Sequence, residues 1–453
     1  MASPMPPSGV PGPAAEVSSD DETVPRRILL VVPFAPRFDI KHGGRVVAQL
    51  IDELVTRHRV AVVYQRLPGE AAMDSRLAAE CDLVRDVPLS INAPLGRRLQ
   101  GQQRILTALL TGRPTAVSAI FSRRFASIVS ELARVWEPDV TQIEHDALGY
   151  CLPALDALPT ATVLVCHEPG LHASQDLVSV SRGRRRLAHR VDVSAWRRYW
   201  RRTLPHADAV VTFTDADADA ISEPALARPV VRIPLGITLP HVPSNPVGGS
   251  PPTIVFIGGY LHPPNIDAAM TLMRGIMPLV RREMPGLRLT LVGDRPPSVM
   301  LRSARPGDEI TGAVSSVAPY VDAATLIVLP IRLGGGMRVK LLEALAAGKA
   351  VIASPLATAG LAVRDGHELR FAETDAQFAD LILELLADEE ARRRLGAGAR
   401  AWAVENLDWA QRVHRYEDLY ASVLAAPGRR LGAARPVTAM PRLIGRRSRK
   451  ASD

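Results

Sequence analysis

The sequence has few cysteines, few aromatic residues and no long apolar run. Its three cysteines, Cys81, Cys151 and Cys166, form neither a CxxC pair nor a Cys/His ligand pattern, so neither a disulfide framework nor a zinc site is indicated. No apolar segment approaches the roughly 20 residues that a membrane-spanning helix needs. We therefore expect a soluble or peripheral protein in a reducing compartment, the cytoplasm.

Lysine is also scarce, and the positive charge comes almost wholly from arginine. The formal net charge is +8, yet only four of the 55 basic residues are lysine. Arginines cluster in 181–202 and 428–450, and such clusters attract anionic lipid or nucleic acid. No nucleic-acid-binding motif accompanies them, which favours an anionic membrane surface on the inner face of the plasma membrane. The alternative is that the arginines only cover exposed helices.

Alternating apolar strands and amphipathic helices predict an α/β domain at the start of the chain. Residues 28–32 form a continuous apolar run typical of a buried parallel strand. A loop ending in Gly43 and Gly44 precedes a helical apolar pattern and a second strand, which makes a βαβ unit. Later apolar runs extend this pattern, at 139–145, 161–168 and 207–214. Ligands of such a domain bind at the carboxyl ends of the strands.

A segment rich in proline, glycine and serine divides the ordered chain into two halves, because the strand pattern restarts after it. We predict two Rossmann-like domains that face each other across a cleft, with a C-terminal helix that crosses back. The predicted boundaries are a disordered leader at 1–25, an N-terminal domain at 26–235, a linker at 236–252, a C-terminal domain at 253–405, a crossover helix at 406–425 and a basic disordered tail at 426–453.

The most informative segment, GGGMRVKLLEALAAGKAVIAS, begins at Gly334. Glycines admit a ligand close to the backbone, and the N-terminus of the following helix offers free N–H groups and a positive dipole end. Arg338 and Lys340 add positive charge, and Glu343 can accept hydrogen bonds from vicinal hydroxyls. These features suit a nucleoside diphosphate. A tight turn before a solvated helix face is the alternative interpretation.

In its order of motifs the chain resembles the family 4 glycosyltransferases, which are retaining enzymes of the GT-B fold. The motifs include EHDA (144–147), FIGGYLHPPNIDAA (256–269) and the specific block 330–354, and the resemblance extends from about residue 27 to residue 425. It implies transfer of a sugar from a nucleotide-sugar donor, held mainly by the second domain, to a glycan, lipid-linked or small-molecule acceptor held mainly by the first. Cell-envelope or exopolysaccharide synthesis is the implied setting, and no metal or cofactor is implied.

The resemblance also implies roles for individual residues. His145 aligns with the histidine beside the transferred sugar, although a histidine at a strand end is often only structural. The implied catalytic residues are His145, Arg338 and Lys340. The implied donor-binding residues are Gly44, Gly259, Gly335, Gly336, Met337, Arg338, Lys340, Leu342 and Glu343. The acceptor-side candidates are Gly43 and His167.

Three positions depart from the family pattern. Gly335 stands where the family usually has an acid near the sugar ring, which leaves the identity of the sugar open. Gly259 and Asn265 stand where an arginine and a lysine usually contact the diphosphate. We therefore expect Arg338 and Lys340 to have taken over the role of these cations.

Two further motifs resemble ligand-binding motifs but are better explained without a ligand. The DADAD sequence at 215–219 resembles a metal motif, but it follows a strand and starts a helix, where acids favour the positive dipole end. The segment 256–265 lacks GxGxxG, which argues against a dinucleotide cofactor. A nucleotide-sugar epimerase and a catalytically silent membrane-associated scaffold that binds nucleotide remain as alternative functions.

Overall fold

The computed structural model describes residues 24–39, 43–89, 111–221, 228–334 and 338–426. The predicted leader up to residue 23 and the predicted tail from residue 427 lie outside these described residues. The described part folds into two α/β domains, each built on a parallel sheet, which confirms the predicted fold class.

The first domain contains a seven-stranded sheet in the described residues, with the order β3-β2-β1-β4-β5-β6-β7 and all strands parallel. Its central strands are buried on both faces, as their continuous apolar runs predict. Sequence analysis missed β3 and β7, because edge strands are half-exposed and carry charged residues. The strands are β1 (Arg27–Val32), β2 (Arg59–Arg66), β3 (Leu83–Pro88), β4 (Val140–Glu144), β5 (Ala161–Cys166), β6 (Ala209–Thr212) and β7 (Val230–Arg232).

Helices cover both faces of this sheet. The first helix buries an apolar stripe that includes Val47, Ile51 and Leu54 against the strands. A 3-10 segment, Asp146–Leu155, directly follows β4. The helices are α1 (Gly43–Val55), α2 (Ser75–Glu80), α3 (Thr115–Ile120), α4 (Arg123–Trp136), α5 (Gly170–Val180), α6 (Gly183–Thr203) and α7 (Asp215–Ile221).

The second domain repeats the architecture with six described strands in the order β10-β9-β8-β11-β12-β13, again all parallel. Its short edge strands β10 and β13 were not predicted, since neither contains an apolar run. The strands are β8 (Thr253–Ile257), β9 (Arg288–Val292), β10 (Asp308–Ile310), β11 (Leu326–Leu329), β12 (Val351–Ala353) and β13 (Arg370–Phe371).

The last helix joins the second domain to the first. Trp409, at its start, donates from Nε1 to Gln49 Oε1 of α1 at 3.1 Å, and Glu417 accepts two hydrogen bonds from the Arg57 guanidinium. The helices of this half are α8 (Pro263–Thr271), α9 (Met277–Glu283), α10 (Ser298–Leu301), α11 (Ala318–Ala323), α12 (Val339–Ala346), α13 (Asp375–Ala387), α14 (Glu389–Asn406) and α15 (Trp409–Ala425). Helix α15 therefore packs on the first domain, where the sequence predicts a crossover helix.

Candidate functional site

A cleft of about 470 Å³ lies between the two domains. Many of the residues that line it follow the carboxyl ends of strands in both sheets, the edge at which parallel α/β sheets bind ligands. They include Phe34 after β1, His145 after β4, His167 after β5, Phe213 after β6, Gly258 after β8, Asp294 after β9 and Ile331 after β11.

Lys340 occupies the wall of the cleft formed by the second domain. Its ammonium group donates to Asn265 Oδ1, and Asn265 Nδ2 in turn donates to the Gly259 carbonyl at 2.9 Å. Burial and, to a smaller extent, the nearby Arg338 charge lower the pKa of Lys340 to about 7 against the opposing effect of Glu343. A bound anion would favour the charged form of this lysine.

Arg338 lies at the N-terminus of α12 and holds the preceding glycine loop. Its guanidinium donates to the carbonyl of Gly334. Gly334 has a φ of 96°, a backbone conformation that glycine adopts without strain. The Gly334 N–H donates to Asp176 Oδ2 of the first domain at 2.7 Å. Burial lowers the pKa of Arg338, whereas Glu168, Asp217 and Asp176 oppose that shift.

Glu343 faces the first domain across the cleft. Arg45 Nη1 lies 3.0 Å from Glu343 Oε1, and each side chain is about a quarter exposed. Arg45 also donates from Nε to the Phe38 carbonyl at 3.0 Å, which fixes its course along the wall. The acid that the resemblance assigns to the nucleotide ribose is thus already paired with a cation from the opposite domain.

His145 follows β4 with φ of 83°, an unusual conformation for a residue with a side chain. Its Nδ1 lies 3.2 Å from Asp146 Oδ1. Burial disfavours the charged imidazole, but Asp146, with smaller effects from Glu168 and Glu144, outweighs burial and raises the pKa of His145. Strain of this kind persists where surrounding contacts fix it, and it is common at functional sites.

His167 stands beside His145 on the same wall. The two imidazole rings are stacked with centroids 5.9 Å apart and an interplanar angle of 16°. His167 Nε2 lies 2.6 Å from Glu144 Oε2, and the Glu144 side chain is almost fully buried. The cleft thus contains two adjacent histidines, each next to a carboxylate.

Most of the residues proposed from the sequence converge on this cleft, and two do not. Gly44 lies within α1, where its carbonyl accepts from the Arg37 N–H at 3.4 Å, and the Leu342 side chain is fully buried in the hydrophobic core. Gly335, Gly336 and Met337 lie outside the described residues. The residues that line the cleft are Gly43, His145, His167, Gly259, Arg338, Lys340 and Glu343.

Several residues of the site were missed by sequence reasoning. Arg45, Glu168 and His262 line the cleft, and Glu168 Oε2 lies 3.3 Å from His262 Nε2 of the other domain. Arg45 directly follows the two glycines of the first loop, which is the available sequence signal for it. Glu168 has no such signal in the sequence, because His262, its partner across the cleft, is distant in the sequence.

The DADAD sequence takes part in local structure. Asp217 Oδ2 accepts from the Thr214 hydroxyl at 2.6 Å at the start of α7, and Asp215 pairs with Arg232. Within the described residues, no group of three or more His, Cys, Asp or Glu side chains is arranged to hold a metal ion. The same residues contain no helix that is long and apolar enough to span a membrane.

Comparison with known proteins relates the second domain to a family of transferases. Residues 251–388 match the family model described as glycosyl transferases group 1. A phosphatidyl-myo-inositol mannosyltransferase of Mycobacterium leprae is 30% identical over 211 residues, which cover 44% of this chain and 55% of that protein. The chain thus spans about half the length of this curated relative.

Solved structures share the two-domain architecture across nearly the whole chain. Sucrose-phosphate synthase from Thermosynechococcus elongatus superimposes with a TM-score of 0.65 at 16% identity, covering 88% of this chain and 100% of that one. Anabaena HepE, solved in complex with UDP and glucose, gives a TM-score of 0.57 at 14% identity, covering 87% and 99%. These likenesses show that the chain has the GT-B fold.

Proposed function

We propose that this chain, whose residues 251–388 match the glycosyl transferases group 1 family model, transfers a sugar from a nucleotide-sugar donor to a glycan, lipid-linked or small-molecule acceptor. The named activity of the Mycobacterium leprae relative and the UDP and glucose bound by Anabaena HepE support a sugar donor carried by a nucleoside diphosphate. In this proposal the second domain holds the donor and the first domain holds most of the acceptor.

The observation that carries the proposal is the arrangement of charge at the start of α12. Arg338, Lys340 and Glu343 line one end of the cleft, next to the Gly334 carbonyl and the Asn265 side chain. A helix N-terminus and two cations suit the diphosphate, and a carboxylate suits the ribose hydroxyls. Arg338 and Lys340 then stabilise the leaving diphosphate, so the proposal requires no metal or cofactor.

Domain closure completes the proposed reaction site. Polar contacts cross the cleft on both sides, from Arg45 to Glu343 and from Asp176 to Gly334. Closure excludes bulk water, so hydrolysis of the donor is slow compared with transfer to an acceptor. His145 lies on the sugar side of the site, and we propose retention of anomeric configuration on the strength of the family resemblance. Analysis of the anomer in the product tests that part.

We further propose that the protein works in the cytoplasm at the inner face of the plasma membrane, in cell-envelope or exopolysaccharide synthesis. Helix α6 supports this, because Arg184, Arg185 and Arg186 are exposed, Leu187 beside them is 63% exposed, and the acid of the same helix, Asp192, is buried. Basic residues next to exposed apolar ones favour anionic membranes. The lipid named in the Mycobacterium leprae relative supports a lipid-linked acceptor.

A screen of nucleotide sugars tests the proposed function. A donor at 100 times its dissociation constant adds about 2.7 kcal/mol to the free energy of unfolding, so UDP-, GDP-, ADP- and TDP-sugars can be ranked by thermal stabilisation. Turnover of the best donor, with and without acceptor, then separates the candidates. A transferase releases nucleoside diphosphate and forms a glycoside, an epimerase changes the sugar without acceptor, and a scaffold yields no product.

A further inference from the structure

A chain of buried hydrogen bonds runs from the crossover helix to the cleft. The Tyr420 hydroxyl of α15 donates to Gln142 Oε1 at 2.6 Å, and Gln142 Nε2 donates to Glu144 Oε1 at 2.5 Å. The other oxygen of Glu144 lies 2.6 Å from His167 Nε2. Tyr420 and Gln142 are fully buried, and Glu144 is 1% exposed. Helix α15 is thereby connected to an imidazole that lines the cleft.

The direction of these hydrogen bonds determines the tautomer of His167. Because the Gln142 amide oxygen accepts from Tyr420, its amide nitrogen must be the group that donates to Glu144. An ionised Glu144 accepts a hydrogen bond on each oxygen, from Gln142 Nε2 and from an N–H at His167 Nε2, and charge-assisted bonds of this kind are short. The proton on the imidazole is then held at Nε2, which leaves Nδ1 as an acceptor.

Packing directs this acceptor nitrogen toward the cleft. His145 stacks on one side of the His167 ring, and the edge of Phe213 contacts it with centroids 5.1 Å apart. A Cβ atom at Gly43 would lie 3.8 Å from His167 Nδ1 and 3.1 Å from Phe34 Cζ. Gly43 thus brings no side chain against Nδ1, and Gly43 and His167 both line the cleft.

We infer that His167 is a catalytic residue that accepts the proton of the acceptor hydroxyl, and that Glu144, Gln142 and Tyr420 are positioning residues that act through it. The inference rests on the proposed function. The acceptor oxygen bonds to the anomeric carbon on the face from which the diphosphate departs, which retains the anomeric configuration, and the leaving diphosphate takes the electron pair of the broken bond. The hydroxyl proton moves to Nδ1, and His167 returns it to solvent after product release.

Steady-state hydrolysis of the best nucleotide sugar of the screen, with water as the acceptor, tests the role of this series of hydrogen bonds. General-base catalysis contributes about 10²- to 10⁴-fold, so His167→Ala is expected to lower kcat at least about 100-fold with an unchanged Kd for the nucleoside diphosphate. Glu144→Gln is expected to lower kcat and to move the imidazole proton from Nε2 to Nδ1, because a glutamine amide can donate to Nε2 whereas a carboxylate cannot. Tyr420→Phe is expected to lower kcat about 2- to 10-fold.

Tyr416→Phe is the matched control, because Tyr416 lies one turn earlier on α15 and is 2% exposed. Its hydroxyl takes no part in the series of hydrogen bonds from Tyr420 to His167. It is expected to retain kcat within about twofold. A folded His167→Ala variant with wild-type kcat, or a Glu144→Gln variant with wild-type kcat and an unchanged His167 tautomer, would overturn the inference while leaving the transferase proposal intact. A wild-type protein that neither binds nor cleaves any nucleotide sugar would instead refute the proposed function.

The tautomer itself is measurable without substrate. Long-range ¹H–¹⁵N correlation spectra of protein labelled at histidine nitrogen, with His167 assigned by comparison with His167→Asn, are expected to show the proton on Nε2 and an unprotonated Nδ1. The opposite tautomer in the wild-type protein would contradict the geometry on which the inference depends.

Discussion

The Lys340 ammonium group donates to the side-chain oxygen of Asn265, which stands where the family usually has a lysine. The Lys340 ammonium group of α12 thus lies next to the position at which the family usually has its lysine. The same ammonium lies 4.9 Å from the centroid of the Phe256 ring, a contact that favours a positive charge. A lysine with a lowered pKa in a cleft is a candidate functional group, and here its position suits a diphosphate.

The affinity for a nucleoside diphosphate is expected to depend on pH through Lys340. Its pKa is about 7 in the empty cleft, and a bound diphosphate raises it, so binding takes up a proton above pH 7. UDP is fully ionised there because its last phosphate pKa is about 6. Affinity for UDP is therefore highest near pH 7 and falls by up to about tenfold per pH unit above it.

Isothermal titration of UDP between pH 7 and pH 9 measures this effect. Lys340→Arg is the control, since arginine stays charged throughout that range and should give a flat profile. A wild-type affinity that does not change with pH would exclude Lys340 as a diphosphate ligand.

Glu343 is expected to matter more for nucleotide binding than its partner Arg45. Hydrogen bonds to a charged group contribute about 1.5–3 kcal/mol, so Glu343→Ala should weaken UDP binding roughly 10- to 100-fold. The ion pair with Arg45 is partly exposed and contributes about 0.2–1 kcal/mol, so Arg45→Ala should change the Kd less than about fivefold. Titrations of both variants and of the double variant measure the difference. Equal losses in both single variants, with no further loss in the double variant, would make the ion pair itself the functional unit.

His145→Ala is expected to lower turnover at least about tenfold and to leave the Kd for UDP nearly unchanged, because the proposed function places His145 beside the sugar and away from the diphosphate. Initial rates and UDP titrations of the same preparation distinguish the two effects. His206→Ala is a matched control, since His206 is similarly exposed and pairs with Asp156 away from the cleft. Wild-type turnover in the His145 variant would assign this residue a structural role.

The arginines of α6 are expected to bind anionic lipid. Each basic residue near such a surface contributes about 1 kcal/mol, so changing Arg184, Arg185 and Arg186 to Gln should weaken binding to vesicles with anionic lipid at least about tenfold. Vesicle co-sedimentation measures this. Changing the exposed Arg282, Arg393 and Arg394 to Gln removes the same charge from the second domain and should have little effect. Equal binding of the wild-type protein to neutral and anionic vesicles would eliminate the membrane proposal.

The strands of both cores could be predicted because buried parallel strands are continuous apolar runs, as in 28–32 and 326–329. The contacts across the cleft could not, because they join residues that are far apart in sequence, such as Arg45 with Glu343. The hydrogen bond between Tyr420 and Gln142 is a similar case. Leu342 shows the opposite error, since a residue within a binding motif can serve only the core.

Diphosphate binding at the start of α12 is the central claim, and one titration tests it directly. The Kd of the tightest binder among UDP, GDP, ADP and TDP is measured for the wild-type protein and for a variant with Arg338→Ala and Lys340→Ala. Each charge-assisted bond contributes about 1.5–3 kcal/mol, so affinity should fall at least about 100-fold. Arg332→Ala is the control, because Arg332 is exposed on the same loop and pairs with Asp267. A folded double variant with wild-type affinity would contradict the account and reduce the glycine loop to a turn.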